Sequence, residues 1–173
     1  MTVAAPHVVL AAGAWSGEVE GAGLPPGAVR PVRGQIVELD PRTPLRRVIF
    51  SSIGYLVAKP RGRLLAGSTM EEAGFVKEVT VGGVRGILDA ARRIVPALSA
   101  APITDLWSGL RPATVDSKPV LGPGPVTGLT YATGHGRKGV LHAPLTAAVI
   151  ADVVTGAAPR VDLAPFSYAR LTK

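Results

Sequence analysis

Cysteine is absent from the 173-residue sequence. That excludes disulfides, thiolate metal centres, iron–sulfur clusters and a cysteinyl link to a flavin. Histidine is nearly as scarce: His7, His135 and His142 show no HxH or HxxxH spacing, so no metal site is expected. Aromatic residues make up 5% of the chain, too few and too scattered for a base-stacking platform. No uninterrupted apolar run approaches the ~20 residues that span a bilayer. The best, Leu145 to Val154, is broken by Asp152. The first residues, MTVAAPHVVLAAGAW, place no Lys or Arg before their apolar stretch, which is not the pattern of a secretory signal. Together with the missing cysteine, this points to a cytoplasmic protein. Acidic residues are few as well, 12 against 19 Lys and Arg, for a net charge of +7.

The chain is rich in glycine (21) and proline (16). Together they are about a fifth of the chain, where roughly an eighth is usual. Disorder does not follow, because 47% of residues are hydrophobic and apolar burial on that scale offsets the ordering entropy. The length sets a prior of one domain, at most one and a half. Basic residues concentrate between Arg30 and Arg63, at Arg30, Arg33, Arg42, Arg46, Arg47, Lys59, Arg61 and Arg63, against Glu38 and Asp40. Two readings exist: a nucleic-acid footprint, or a solvated basic face with one or two arginines that hold a small anion. The lack of interleaved aromatics favours the second.

His7 to Ala12 (HVVLAA) has the unalternating apolar pattern of a parallel strand covered on both faces. A helical or turn segment, 14–21, follows. Gly34–Leu39, Val48–Phe50, Tyr55–Lys59 and Leu64–Ser68 read as strands, the last two joined by PRGR as a hairpin. Val84 to Leu98 carries apolar residues at three- and four-residue spacing and reads as an amphipathic helix, distorted near its end by Pro96. On its polar face Asp89 is placed to pair with Arg92 or Arg93. Ile103–Leu110 and Leu129–Ala132 are strand-like, and a final helix through Leu141, Leu145 and Val149 stops at Gly156. The economical account is an α/β piece at both ends with an antiparallel α+β module between them.

Two local patterns bear chemistry. Gly134-His135-Gly136-Arg137-Lys138-Gly139 satisfies G-x-G-x-x-G between a strand and a helix. A dinucleotide fingerprint further needs a second parallel strand and an acidic residue about 20 positions on. Asp162 has that distance, but its surroundings, PRVDLAPFSYAR, are no buried strand. The loop still suits an anion, since its glycines admit close approach and a helix start offers unsatisfied N–H groups. Pro144 is expected in the first turn of that helix, where its missing N–H costs little. An ordinary glycine-rich lead into a helix stays open as the plain alternative. In WSGLRP, Pro112 holds Arg111 in an extended conformation, as a carboxylate clamp or as one half of a surface ion pair.

Five segments occur in one order: VVLAAGAWSG (8–17), RPVRGQ (30–35), YLVAKPRGRLLAGSTME (55–71), WSGLRPATVDSKPVLGP (107–123) and ATGHGRKGVLHAP (132–144). Together they resemble the D-amino-acid oxidase family of FAD-dependent oxidoreductases, and within it the bacterial glycine-oxidising branch of thiamine biosynthesis. The resemblance implies non-covalent FAD and oxidative deamination of a small amino acid or amine, with hydride passing to the flavin and peroxide as product. It implies that Tyr55 and Arg111 bind the substrate carboxylate, that Met70 lines the pocket, and that Arg137 stands at its mouth. It assigns flavin contacts to Gly13 and Ala14, to Gly34 and Gln35, and to Gly134, His135, Gly136, Arg137, Lys138, Gly139 and Val140. No enzyme acid, base or metal is implied. The family's usual asparagine and bulky residue in GHxRNG are replaced by Lys138 and Gly136, and its Pro-Arg after YLV by Ala58-Lys59.

The implied fold is α+β and α/β mixed. An antiparallel-sheet substrate domain with one packed helix (30–111) is inserted in an incomplete glutathione-reductase-like FAD-binding domain (1–29 and 112–173). The resemblance covers the carboxy-terminal half of the family, so the strand, glycine fingerprint and helix that grip the ADP half are expected outside this chain. Two functions follow as alternatives: a glycine-type oxidase, or a non-catalytic remnant or subunit whose site is completed by a missing half or by another copy. A basic nucleic-acid-binding module is the third.

Overall fold

The structure is a computed structural model that describes residues 4–41 and 45–172. It divides into two compact units: Met1–Val32 with Arg111–Lys173, and Arg33–Leu110.

The middle unit is built on a five-stranded sheet. In chain order its strands are β2 (Arg30–Leu39), β3 (Ile49–Phe50), β4 (Tyr55–Ala58), β5 (Leu64–Gly67) and β6 (Ile103–Ala113), in the spatial order β3-β4-β5-β2-β6. The pairs β3–β4, β4–β5 and β5–β2 are antiparallel. Leu56, Ala66 and Val37 lie in one cross-strand row, with Leu64 and Leu39 paired two residues on. With period-2 alternation both sets face one side of the sheet. That side meets α1 (Val81–Ile94), whose Ile87 and Ala91 complete the core with Leu98. The β4–β5 turn takes the expected PRGR, with Arg61 and Gly62 both at positive φ.

Helix α1 starts three residues before the expected Val84, and its cause is a cap. The Thr80 hydroxyl accepts the Gly83 N–H at 3.2 Å, which starts the helix despite two glycines in its first turn. It ends at Ile94, and Pro96 opens a separate 3-10 turn over Pro96–Ala100. Asp89 pairs with Arg92 (3.5 Å) and Arg85 (3.7 Å) on the solvated face.

The other unit holds β1 (Val8–Leu10), β7 (Val120–Pro123) and β8 (Leu129–Thr133) in the order β1-β8-β7. β1 runs parallel to β8, with Val8 opposite Leu129, and β7 runs antiparallel to β8. β7 lies in a Gly- and Pro-rich stretch that carries no strand signal. Its pairing is local, a tight connection back to β8, with Gly124 N–H bonded to Leu129 O at 2.8 Å. Tyr131 is fully buried among Leu10, Ala22, Val29 and Val120; its hydroxyl donates to Ala22 O, and its ring meets Tyr168 edge-on at 5.6 Å.

Helix α2 (Gly139–Thr155) packs on β7 and β8 and closes on Gly156 at φ 73°, the left-handed stop its sequence implied. Two expectations fail here. Pro144 is the sixth residue of α2, not in its first turn, so one intrahelical bond is forgone in the second turn. β1 is not covered on both faces: Val8 and Val9, on opposite faces of the strand, are both exposed. Residues Gly136–Thr155 also form a stretch of twenty with mean hydropathy 1.2, apolar enough by length and composition to cross a membrane. Here that stretch packs on a sheet, and Asp152 within it takes two bonds of 2.8 Å from Arg160.

The carboxy-terminal tail is tied back by charge. Arg170 Nε donates to Asp116 Oδ2 at 2.7 Å, and its other nitrogens reach Lys118 O and Ser167 O. The Arg170 guanidinium draws the Asp116 carboxyl from 3.8 down to about 2, against the pull of burial. A carboxyl depressed on folding stabilises above its unfolded pKa and loses that contribution as pH falls through its folded one. Stability of the chain is therefore expected to drop by on the order of 1 kcal/mol between about pH 4 and pH 2 through this pair, after screening. Urea midpoints across that range measure it, and Asp116→Asn is expected to remove this part of the slope.

Candidate functional site

In the three-stranded unit the candidate residues converge because two neighbouring strands are parallel. β1 and β8 end at the same side, and each runs straight into a glycine turn: Gly13 at φ 57° and Gly134 at φ 76°. In parallel sheets the carboxyl ends of strands are where ligands settle. The two turns are pinned together. Ser16 Oγ donates to Gly13 O (2.8 Å) and contacts Thr133 Oγ1 at 2.6 Å, while Thr133 Oγ1 reaches Gly13 O at 3.2 Å. Ala14 is buried beneath them.

Gly134 has no room for a side chain, since a Cβ there would sit 2.7 Å from Thr114 Cγ2. Gly13 and Gly136 face open space at positive φ. The chain from Gly136 to Lys138 forms one 3-10 turn and passes into α2, whose start has no side-chain cap and no acidic residue in its first turn. Arg137 and Lys138 are exposed beside it, as is Val140. The site therefore presents uncapped N–H groups, a positive helix end and two cations, an arrangement that accepts negative charge. His135 Nε2 lies 3.0 Å from Thr146 Oγ1; burial, with His142 nearby, lowers its pKa and keeps the ring neutral at pH 7. A groove of 370 Å³ opens next to it, walled by Ala11, Ala132, Gly139, Ala143 and Ala147. Small side chains make it wide. α2 is followed by no second parallel strand among the described residues, and Asp162 caps the turn at Ala164 from an exposed position. The dinucleotide-fingerprint reading is set aside on that ground.

The middle unit holds Gly34, Gln35, Tyr55 and Met70. Tyr55 opens β4 opposite Gly67 of β5, and a Cβ on Gly67 would lie 2.7 Å from the Tyr55 hydroxyl. The ring thus rests on a bare stretch of backbone, three residues before Met70. Gly34 is buried in β2. Gln35 is completely buried and its side chain is fully engaged: Nε2 donates to Glu71 Oε1 (2.7 Å) and Thr80 Oγ1 (3.0 Å), and Oε1 accepts the Thr80 N–H (2.8 Å). Any ligand contact from Gln35 falls to its main chain.

Sequence reasoning missed Arg33 and Glu71. Arg33 belongs to the basic run read as a solvated face, yet it is buried and ion-paired with Glu71, and Arg63 pairs with Glu38 at 3.0 Å. Of the two, Arg33 is held inside the fold, while Arg63 pairs from an exposed position. Arg42 lies outside the described residues. Arg111 and Arg137 belong to the three-stranded unit; Arg111 is half-buried, and β6 continues past Pro112 to Ala113 instead of stopping beside it.

The chain matches the family described as FAD dependent oxidoreductase over residues 2–153. It belongs to that family. It is 41% identical to the glycine oxidase of Geobacillus kaustophilus over 98% of its length and 46% of that enzyme. Against the crystal structure of glycine oxidase from that organism it scores a TM of 0.89 at 40% identity, covering 96% of this chain. A bifunctional ThiO/ThiG protein of Nostoc sp. is 40% identical over 99% of this chain and 26% of its own length. Iminodiacetate oxidase of Chelativorans sp. matches with a TM-score of 0.89 at 31% identity, over 95% of this chain and 46% of that one. The chain thus spans about a quarter to a half of the relatives it matches. In this FAD-dependent family, the open glycine turns at Gly13 and Gly136 and a helix start with no side-chain cap and no acidic residue in its first turn are a fit for a large anionic cofactor.

Gly83 gives a sharp local test of the Gln35 network. A Cβ at Gly83 would lie 2.3 to 2.6 Å from the Gln35 amide, whereas at Gly86 it meets nothing. Gly86→Ala is expected to stabilise by about 0.5–1 kcal/mol through helix propensity. Gly83→Ala, with the same propensity gain, is expected to destabilise by about 1–3 kcal/mol because Gln35 loses its partners. Urea midpoints of the two variants decide it.

Proposed function

We propose that this chain forms the amino-acid-binding surface and one wall of the flavin site of an FAD-dependent oxidase acting on glycine or a closely related small amine, in the cytoplasm. The observation that carries the reading is that about 40% identity to glycine oxidase runs through both units, across 98% of the chain. Residues 30–111 then serve as an inserted substrate domain, and 1–29 with 112–173 as part of a glutathione-reductase-like FAD domain.

Each residue has a chemical task. The Tyr55 hydroxyl donates to one oxygen of the substrate carboxylate, and the Arg111 guanidinium supplies two parallel N–H donors to the same group. Met70 gives the pocket an apolar wall, and Arg137 keeps its mouth positive. The flavin would be held by the main chain at Gly13, Ala14, Gly34 and Gln35 and by the turn from Gly134 through His135, Gly136, Arg137, Lys138 and Gly139 to Val140. FAD, when bound, supplies the acceptor for the electron pair of the α C–H bond and passes it to oxygen as peroxide. The start of α2 stabilises negative charge that develops next to it. No side chain needs to act as acid or base when the amine binds neutral, so orientation is the protein's main contribution. Glycine and iminodiacetate, which give two of the matched enzymes their names, share an unbranched α-carbon that bears an amine and a carboxylate. That is the substrate class we assign.

A specific observation favours a second reading, in which the chain works as a subunit, or persists as a remnant, completed by another polypeptide or another copy. α2 is apolar nearly all round, yet only Val149 and Ile150 of it are buried, and β1 leaves one edge of its parallel sheet unpaired. Faces of that kind call for cover.

Two outcomes are expected. In the intact flavin-loaded enzyme, Arg111→Ala raises KM for glycine by about tenfold or more, read from peroxide release; unchanged kinetics with glycine and sarcosine reject the clamp. Purified alone, the chain retains little flavin and elutes on size exclusion as an oligomer or with a partner. A yellow, stoichiometric monomer would exclude the second reading.

A further inference from the structure

The thirteen residues from Ser68 to Thr80 connect β5 to α1 without regular secondary structure, apart from one bridge between Glu71 and Arg33. A connection of that length keeps one conformation only where anchors hold it. The anchors around Met70 come from β2, and β6 adds one further on, where Ser108 Oγ donates to Lys77 O. Thr69 Oγ1 accepts the Gln35 N–H at 2.9 Å, and Gln35 Oε1 accepts the N–H of Thr80 at 2.8 Å. Glu71 exchanges both main-chain bonds with Arg33, at 2.9 and 3.0 Å. Its carboxylate takes Arg33 Nε at 2.7 Å and Arg33 Nη2 on one oxygen, and Gln35 Nε2 at 2.7 Å on the other. Arg33 Nη1 then reaches forward to Glu78 O at 3.1 Å.

Met70 lies between two of these anchors. Its neighbours Thr69 and Glu71 are both bonded to β2, while Met70 is 61% exposed and the Glu71 side chain is turned in at 25%. Extended backbone alternates its side chains, so holding Thr69 and Glu71 inward presents Met70 outward. The donors that converge here suit a carboxylate: one oxygen serves the Arg33 guanidinium and the other the Gln35 amide. Arg33 is nearly buried, and its ion pair is with Glu71. Burial raises the Glu71 pKa, but bonds from Thr69, Arg33 and Gln35 outweigh it and keep the group ionised.

We propose that Glu71 is a positioning residue for the oxidase reaction: locked onto Arg33 and Gln35, it fixes the backbone that presents Met70 to the amino-acid substrate. This rests on the reading that Met70 lines the substrate pocket. The test is a double-mutant cycle in the intact flavin-loaded enzyme. Steady-state kinetics on glycine are joined to calorimetric binding of acetate, which carries the carboxylate and nothing to oxidise. Met70→Ala is expected to raise KM by about tenfold, and Glu71→Ala by about fivefold with kcat within about twofold. Acetate affinity should weaken in parallel. The double variant should be no worse than the poorer single one, because Glu71 acts through Met70. Glu71→Gln keeps size and one acceptor oxygen; it should recover part of the affinity, and it carries the test where the alanine variant does not fold. Unchanged KM in both Glu71 variants, or effects that multiply in the double variant, overturn the positioning role while leaving the pocket intact. A Met70→Ala enzyme with normal KM and normal acetate binding overturns the pocket assignment itself, and the positioning role with it.

Discussion

The parallel pairing of β1 with β8 is the constraint from which the candidate flavin site follows. Parallel neighbours cannot be joined by a hairpin and need a long crossover. Here the crossover, from Ala11 to Gly128, contains the whole of the other unit. The register that sets Val8 against Leu129 also brings Gly13 and Gly134 to the same end of the sheet. A shift by one residue would turn Thr133 away from Gly13 and Ser16, and the two turns would lose their common bond. The placement of the uncapped start of α2 therefore depends on a contact between segments near opposite ends of the sequence.

The energetic character of that unit follows from its small core. Among the described residues, five buried apolar residues form its central cluster, and Tyr131 is the largest of them. With so little apolar area, polar ties carry more of the definition: Tyr131 to Ala22 O, Ser16 to Gly13 O, Arg170 to Asp116 and Lys118. The middle unit has the opposite balance, with Val37, Leu39, Leu56, Leu64 and Ala66 stacked in register beneath α1. Its polar ties gather on β2, where Arg33 and Gln35 hold Glu71 and where Glu38 takes Arg63 and Thr104.

Much of this was legible from residues alone, and the reason is locality. Strands β2, β4, β5 and β8, helix α1 and the Gly156 stop are encoded by short-range patterns and turn chemistry. The glycine turn before α2 was readable for the same reason. What escaped depends on partners distant in sequence. Arg33 looks like one more surface cation until Glu71, 38 residues later, folds back onto it. The helix start moved to Val81 because of the Thr80 hydroxyl, although Gly82 and Gly83 argue against a helix there. β7 hid in its prolines, and the exposure of β1 could not be read from a run as apolar as HVVLAA. Tyr55 and Met70 emerged from segment resemblance alone; Arg111 had a local signal in the Pro112 that follows it, and Arg137 in its glycine loop, but no spacing links the four.

Taking a guanidinium and a carboxylate out of water costs several kcal/mol per ion before their attraction returns any of it. An apolar pair of equal volume would join β2 to the following loop as firmly, so net stability does not account for the choice. What an apolar pair lacks is direction. It would leave Thr69, Met70 and Glu71 free to slide by a residue, and such a slide exchanges the inward and outward side chains. A two-oxygen acceptor, shared between a fork of N–H groups and a buried amide, permits one register only. Glu71 sits next to Met70 and four residues past Gly67, the strand end that lies under the Tyr55 ring.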